Sequence, residues 1–266
     1  MSYLQINRTS SHKITKTKYF ALKIFDLYPI LYNYFINIKL AINTQLPILI
    51  YSQEKTGSSS FYRSIKESTS LQVFHHHYLY PPNGHLYNVF PKYYCDALYK
   101  QFFINKQPIK IISIVRNPID RLISSFFFKD FTKFRKISHK NCLLSNVFKR
   151  YIDDNYIDWF RIEFYKSTNI NIYNYEFLKN HLIIKYNNLN ILIIKIEEED
   201  KILQDIISEF LDHKVNLLRS GFRADNFEYN KIYQLFKEYC KKDVSIELPL
   251  QSKQYIKMFY PELNTL

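Results

Sequence analysis

PILIYSQEKTGSSSFY, residues 47–62, is the stretch whose reading decides the fold. Ile48 to Tyr51 is a short apolar run of strand type. Gly57 lets the backbone turn sharply and approach a ligand closely. Ser58, Ser59 and Ser60 then open a helix that continues through Phe61, Ile65 and Lys66. A strand that hands over to a helix in this way presents unpaired backbone N–H groups and the positive end of the helix dipole, which together bind an anion. The hydroxyls, Thr56 included, add donors, and Lys55 adds a mobile positive charge. A serine-capped helix behind an ordinary glycine turn shares the local pattern. The coincidence of lysine, glycine and hydroxyls after a strand favours an anion-binding loop. The GxxxxGK[ST] spacing of a Walker loop is absent, so the usual Mg²⁺-nucleotide argument does not carry over.

A second stretch, IISIVRNPIDRLISSF at 111–126, repeats the architecture. Ile111 to Val115 is a β-branched run, hence a buried strand. Arg116 stands at its C-terminal end, where open α/β sheets bind ligands. Asn117 caps the next helix, Pro118 suits its first position and Asp120 falls in the first turn, where acidic residues are favoured. A guanidinium gives forked recognition of a phosphate, and Ser124, two turns on, completes it. Arg121 reads as a solvated helix charge.

These two segments resemble the cofactor motifs of sulfotransferases that use 3′-phosphoadenosine-5′-phosphosulfate (PAPS). The Lys-x-Gly-[ST]-[ST] loop of that family is Lys55-Thr56-Gly57-Ser58-Ser59 here, and its Arg-x-Pro-x-x-Arg-x-x-Ser segment runs from Arg116 to Ser124. The resemblance is closest to a bacterial subgroup named for capsular polysaccharide synthesis. That subgroup's W-F-x-x-E stretch is similar to Trp159 to Glu163, and its G-I-D-V-Y to Asn169 to Tyr173, with Asn169 and Asn171 replacing the Gly and Asp. Its S-K-Y and F-Y are similar to Ser252 to Tyr255 and Phe259-Tyr260. The likeness covers about residues 47–263. It implies that Lys55, Thr56, Gly57, Ser58 and Ser59 hold the 5′-phosphosulfate, with Ser60 added from the serine-rich helix start, and that Arg116 and Ser124 hold the 3′-phosphate.

Composition fits one compact enzyme domain. At 266 residues with 47% hydrophobic and 18% aromatic residues, the chain has ample material for a core. The expected division is an N-terminal helical extension, 1–46, packing on a sulfotransferase-like domain, 47–266. With only 3 glycines, Gly57, Gly84 and Gly221 carry weight as turn makers. The net charge of +13 attracts polyanions, but no zinc-finger, RNP-like or basic-helix signature accompanies it, so no nucleic-acid partner is expected. Cys95, Cys142 and Cys240 are sparse and odd in number, which fits a reducing compartment and a cytoplasmic location. No signal peptide is visible. The apolar-rich stretch from Phe20 to Ile42 is interrupted by Lys23, Asp26, Pro29 and Lys39 and reads as an amphipathic helix, with membrane-surface contact the minority reading.

Strands and helices alternate along the chain. Strands are expected at Ile48 to Tyr51, Leu71 to His77, Ile109 to Val115 and Asn190 to Ile196. Helices are expected from Ser58, at Pro91 to Phe103, from Pro118 to Phe128, from Glu197 through Phe210 and from Tyr229 to Lys241. Lys129 to Lys185 reads as helices and an acceptor-side loop. This order argues for an α/β, P-loop-type three-layer fold with a central, mainly parallel sheet flanked by helices.

His75, His76 and His77 are the remaining chemistry. Strand alternation puts His75 and His77 on one face and His76 on the other. A histidine base suits proton transfer near neutral pH; His77 is preferred over His75 because it lies nearer the strand's C-terminal end, and His85 is next in line. A metal reading lacks further ligands at a convincing spacing, so no metal is expected. The combined reading is sulfuryl transfer from PAPS to a hydroxyl-bearing acceptor, a glycan first. The alternatives are a P-loop-type kinase or NTPase and a nonenzymatic basic binding protein with a relic nucleotide pocket.

Overall fold

The computed structural model describes residues 45–80, 89–129, 148–152, 157–178, 180–218, 230–242 and 248–265, with the isolated positions 31, 34 and 37. Its centre is a five-stranded sheet in the order β2-β1-β3-β5-β4. The strands are β1 (Ile48–Tyr51), β2 (Val73–His76), β3 (Ile109–Val115), β4 (His181–Tyr186) and β5 (Leu189–Lys195). Neighbours among β2, β1, β3 and β5 pair parallel, while β4 pairs antiparallel with β5. The helices are α1 (Ser58–Ser68), α2 (Val89–Tyr99), α3 (Pro118–Lys129), α4 (Tyr165–Thr168), α5 (Asp200–Leu211), α6 (Asn230–Lys242) and α7 (Lys253–Phe259).

The apolar runs form these inner strands because both faces of each are covered. Alternate residues of β1, β3 and β5 enter opposite cores. Leu49, Tyr51, Ile111, Ile191 and Ile193 pack beneath α2 and α7; Ile48, Ile50, Ile112, Leu192 and Ile194 pack beneath α1 and α5. A third cluster joins Leu122 and Phe126 of α3 to Phe148 and to Phe236 of α6. The result is an α/β fold with helices on both faces of a mostly parallel sheet.

From β1 the chain goes first to β2 on one side and then to β3 on the other. Such a reversal opens a crevice at the carboxyl ends of the parallel strands, where ligands bind in open α/β sheets. The loops after β1 and β3 flank that crevice.

Several boundaries differ from the sequence reading. β2 is shorter than Leu71 to His77, and His77 lies in the bend after it. α2 starts earlier than Pro91 and runs into a π-turn at Lys100–Ile104. The segment expected to be helices and loop up to Lys185 ends instead in β4, whose Leu182 and Ile184 are buried while Ile183 is exposed. β4 returns to β5 through a turn in which Asn187 takes φ 51°, a conformation asparagine tolerates. α7 forms where the sequence pattern predicts no helix. The proposed extension at 1–46 lies almost wholly outside the described residues, as do Gly84, His85, Gly221 and Cys142; positions 31, 34 and 37 are helical.

Candidate functional site

The loop after β1 is built on two left-handed residues, Lys55 at φ 65° and Gly57 at φ 85°. Thr56, buried between them, donates its hydroxyl to the Gln53 carbonyl at 2.9 Å and fastens the loop. Gly57 is the N-cap of α1, and no side chain caps that helix. The Ser60 amide donates to the Gly57 carbonyl at 3.0 Å, so the amides of Ser58 and Ser59 lead the open helix end. A Cβ on Gly57 would meet the Cδ1 methyl of half-buried Ile196, so a side chain there would strain the left-handed backbone and push that methyl aside. Left-handed turns feeding a helix N-terminus form an anion-binding concavity. Ser59 is exposed and Ser60 half-buried.

β3 brings the second motif alongside. Arg116 Nη1 donates to the Lys55 carbonyl at 2.8 Å. Asn117 caps α3 as expected, its Oδ1 accepting from the amides of Ile119 at 3.0 Å and Asp120 at 3.2 Å. Asp120 also pairs with Lys237 of α6 at 3.1 Å. Ser124 is half-buried on α3, and Pro118 begins the helix. Arg121 corrects the sequence reading: it is only 5% exposed, not a solvated charge. Burial, foremost, raises the Tyr78 phenol well above its ordinary range, with Glu54 adding to the rise and the Arg121 charge opposing it. Arg121 therefore sits within the electrostatic reach of the segment after β2. The RNPIDR spacing was the available signal.

The histidine alternation holds in space. The rings of His75 and His77 meet edge to face at 4.9 Å, while His76 turns away to Cys95, Nδ1 to Sγ 3.3 Å. His75 Nε2 lies 2.9 Å from Ser58 Oγ, and its ring stacks on Tyr62 at 5.6 Å. Burial, then the neighbouring His77 and His76, lowers His75 to about 3; burial and then His77 lower His76 to about 4. Both are neutral at physiological pH. Burial, with the fields of Asp96 and Glu163, pushes the Cys95 thiol up to about 12 and leaves it unreactive. His77 Nδ1 lies 2.6 Å from the Ser52 carbonyl. A carbonyl only accepts, so the proton is on Nδ1 and Nε2 is the basic nitrogen.

The segment from His77 to Tyr80 is gripped from behind by a π-turn at Phe160–Phe164, which continues into α4. The Trp159 indole donates to the His77 carbonyl at 2.7 Å. Glu163, buried, accepts on one oxygen from the Leu79 amide at 2.5 Å, the Tyr80 amide at 2.8 Å and the Tyr51 hydroxyl at 2.5 Å. The Trp159 and Glu163 motif thus holds the loop that carries the candidate base. Sequence reasoning noted the motif without its role.

Among the described residues, no three His, Cys, Asp or Glu side chains gather as metal ligands, and no helix is long and apolar enough to cross a membrane. Comparison with protein-family models, with curated proteins and with solved structures gave no match.

Proposed function

We propose that this protein is a sulfotransferase of P-loop-type fold that transfers a sulfuryl group from PAPS to a hydroxyl acceptor, with a carbohydrate or polysaccharide as the acceptor class. The observation that carries the reading is the meeting of the two motifs at the carboxyl ends of adjacent parallel strands, with Arg116 on the carbonyl of Lys55. The residues fit a nucleotide with anionic groups at both ends of its ribose. The side-chain-free cradle at Gly57 and the uncapped start of α1 suit the 5′ end. Arg116 and Ser124 suit the 3′-phosphate, and buried Arg121 adds positive charge on the same helix.

PAPS supplies a sulfuryl group on a phosphate leaving group. His77 Nε2 accepts the proton of the acceptor hydroxyl as its oxygen bonds to sulfur. Lys55 and the amides of Ser58 and Ser59 neutralise the charge that builds as the sulfur–oxygen bond to the phosphate breaks, a form of preorganised electrostatic catalysis. His75, neutral and bound to Ser58, orients that hydroxyl; His77 is preferred as base because the Ser52 carbonyl fixes its proton on Nδ1. The buried, reduced thiol of Cys95 supports a cytoplasmic setting.

The test is calorimetric binding followed by turnover. The protein should bind adenosine 3′,5′-bisphosphate more tightly than AMP, Arg116→Ala should remove most of the preference, and labelled PAPS should label glycan acceptors. Equal affinity for the two nucleotides overturns the reading. Preference for ATP with phosphate release supports the kinase or NTPase alternative. Nucleotide preference without turnover on any acceptor leaves a binding protein.

A further inference from the structure

The last motif of the chain, Ser252 to Tyr260, has no part in the chemistry above, yet it reaches the site. β3 pairs with β5 as far as Val115 opposite Lys195, and the final rung is the Ile196 amide on the Val115 carbonyl at 3.0 Å. Pairing with β1 has ended by Ile112. The peptide groups of Arg116 therefore lie beyond the sheet. One hydroxyl takes both of them: Tyr255 accepts from the Arg116 amide at 3.1 Å and donates to the Arg116 carbonyl at 2.9 Å. The next peptide is braced as well. The Asn117 amide donates to Glu197 at 2.7 Å, and the other oxygen of Glu197 accepts from the Tyr260 hydroxyl at 2.8 Å.

We propose that Tyr255 is a positioning residue that fixes the Arg116–Asn117 turn, with Tyr260 acting through Glu197, and that this brace sets recognition of the nucleotide's 3′-phosphate. The inference rests on the role given to Arg116 above. Packing alone does not need the hydroxyls. Tyr255 is buried against Phe259, centroids 5.0 Å apart, and against Tyr260 at 6.0 Å, contacts that phenylalanine would keep. What phenylalanine would lose is the pair of bonds that close the backbone from which the guanidinium projects. With that backbone held, Arg116 reaches the Lys55 carbonyl, and its remaining donors keep a fixed direction. Without it, two polar backbone groups must find other partners, and the fork turns with them.

The experiment measures binding of adenosine 3′,5′-bisphosphate and of AMP to the full chain as wild type, Tyr255→Phe and Tyr260→Phe. Because AMP lacks the 3′-phosphate, the ratio of the two affinities isolates that group. Tyr255→Phe should lower the ratio by about tenfold, the loss of one charge-assisted bond's worth of alignment, with AMP affinity unchanged. Ile207→Val, on the buried face of α5, lowers stability without touching the turn and should leave the ratio as in wild type. A Tyr255→Phe protein that folds and keeps the wild-type ratio overturns the positioning role. Should that variant not fold, Tyr260→Phe carries the same expectation, and its keeping the ratio overturns the role equally. A wild-type ratio of one is a different failure: it removes the assignment of Arg116 and this inference with it.

Discussion

Replacing Gly57 by alanine tests the loop geometry most directly. At φ 85°, Gly57 occupies the left-handed region, where an L-residue costs about 1–2 kcal/mol. The new Cβ would also stand 2.1 Å from Ile196 Cδ1 and 3.6 Å from Ile196 Cγ1. The terminal methyl must swing aside, and a rotamer shift of that size costs about 0.5–1.5 kcal/mol. The single variant should therefore lose about 1.5–3.5 kcal/mol. Ile196→Val removes Cδ1 alone and by itself costs about 0.5–1.5 kcal/mol. In the double variant the clash is gone, because 3.6 Å is ordinary contact, while the backbone strain remains. Urea denaturation of all four proteins should show the double variant about 0.5–1.5 kcal/mol more stable than the sum of the singles. Binding of adenosine 3′,5′-bisphosphate should fall in Gly57→Ala and recover in part in the pair. Strict additivity would refute the steric account, and an alanine variant as stable as wild type would refute the left-handed cradle.

Three further outcomes follow from the site. His77→Asn should cut turnover about 10²–10⁴-fold at saturating PAPS, with His76→Asn affected much less; full activity in His77→Asn would send the search for the base elsewhere, His85 first. His75 and His76 stay neutral down to about 3 and 4 in the folded protein but protonate near 6.5 when unfolded. The unfolded chain thus binds more protons in that window. The stability they permit is fully present above pH 6.5 and is lost on acidification, by about 2 kcal/mol for each at pH 5. Denaturation at pH 7 and pH 5 should show a smaller loss for His76→Gln, and an unchanged loss would count against a buried neutral ring. Glu163→Ala strands the amides of Leu79 and Tyr80 and the Tyr51 hydroxyl and should cost about 3–5 kcal/mol by chemical denaturation; a change under half a unit of that scale would mean the carboxylate holds nothing.

What was legible in the sequence and what was not divide along a physical line. β1, β3 and β5 are buried on both faces, so each is a nearly unbroken apolar run that local reading finds. β4 is half-buried at the edge, and its alternation is diluted by the aromatic-rich segment before it; only the Asn187-Asn188 turn betrays the hairpin. Gly57, the Asn117 cap and the sharing of one side by His75 and His77 depend on neighbours in sequence, and they were readable. Arg121 departs from its reading as a solvated charge because nothing in the local sequence marks it as buried. Glu163 and Tyr255 were unassigned for the same reason: the bonded peptides of Tyr80 and Arg116 are 83 and 139 residues away.

The chain contains one tryptophan among 24 tyrosines. Trp159 is 2% exposed, lies 4.9 Å from the Tyr51 ring and spends its indole N–H on the carbonyl of His77. Indole emission depends on the polarity around the ring and on what its N–H is bonded to. The protein therefore carries its own optical probe at the candidate base, with no competing fluorophore of its kind and no label to disturb the pocket. Excited selectively at the red edge, beyond tyrosine absorption, it reports the segment from His77 to Tyr80 in real time. Loosening of that loop would shift its emission to longer wavelength and open it to quenchers before the rest of the chain unfolds. A ligand that tightens the loop would do the opposite, whatever the acceptor proves to be.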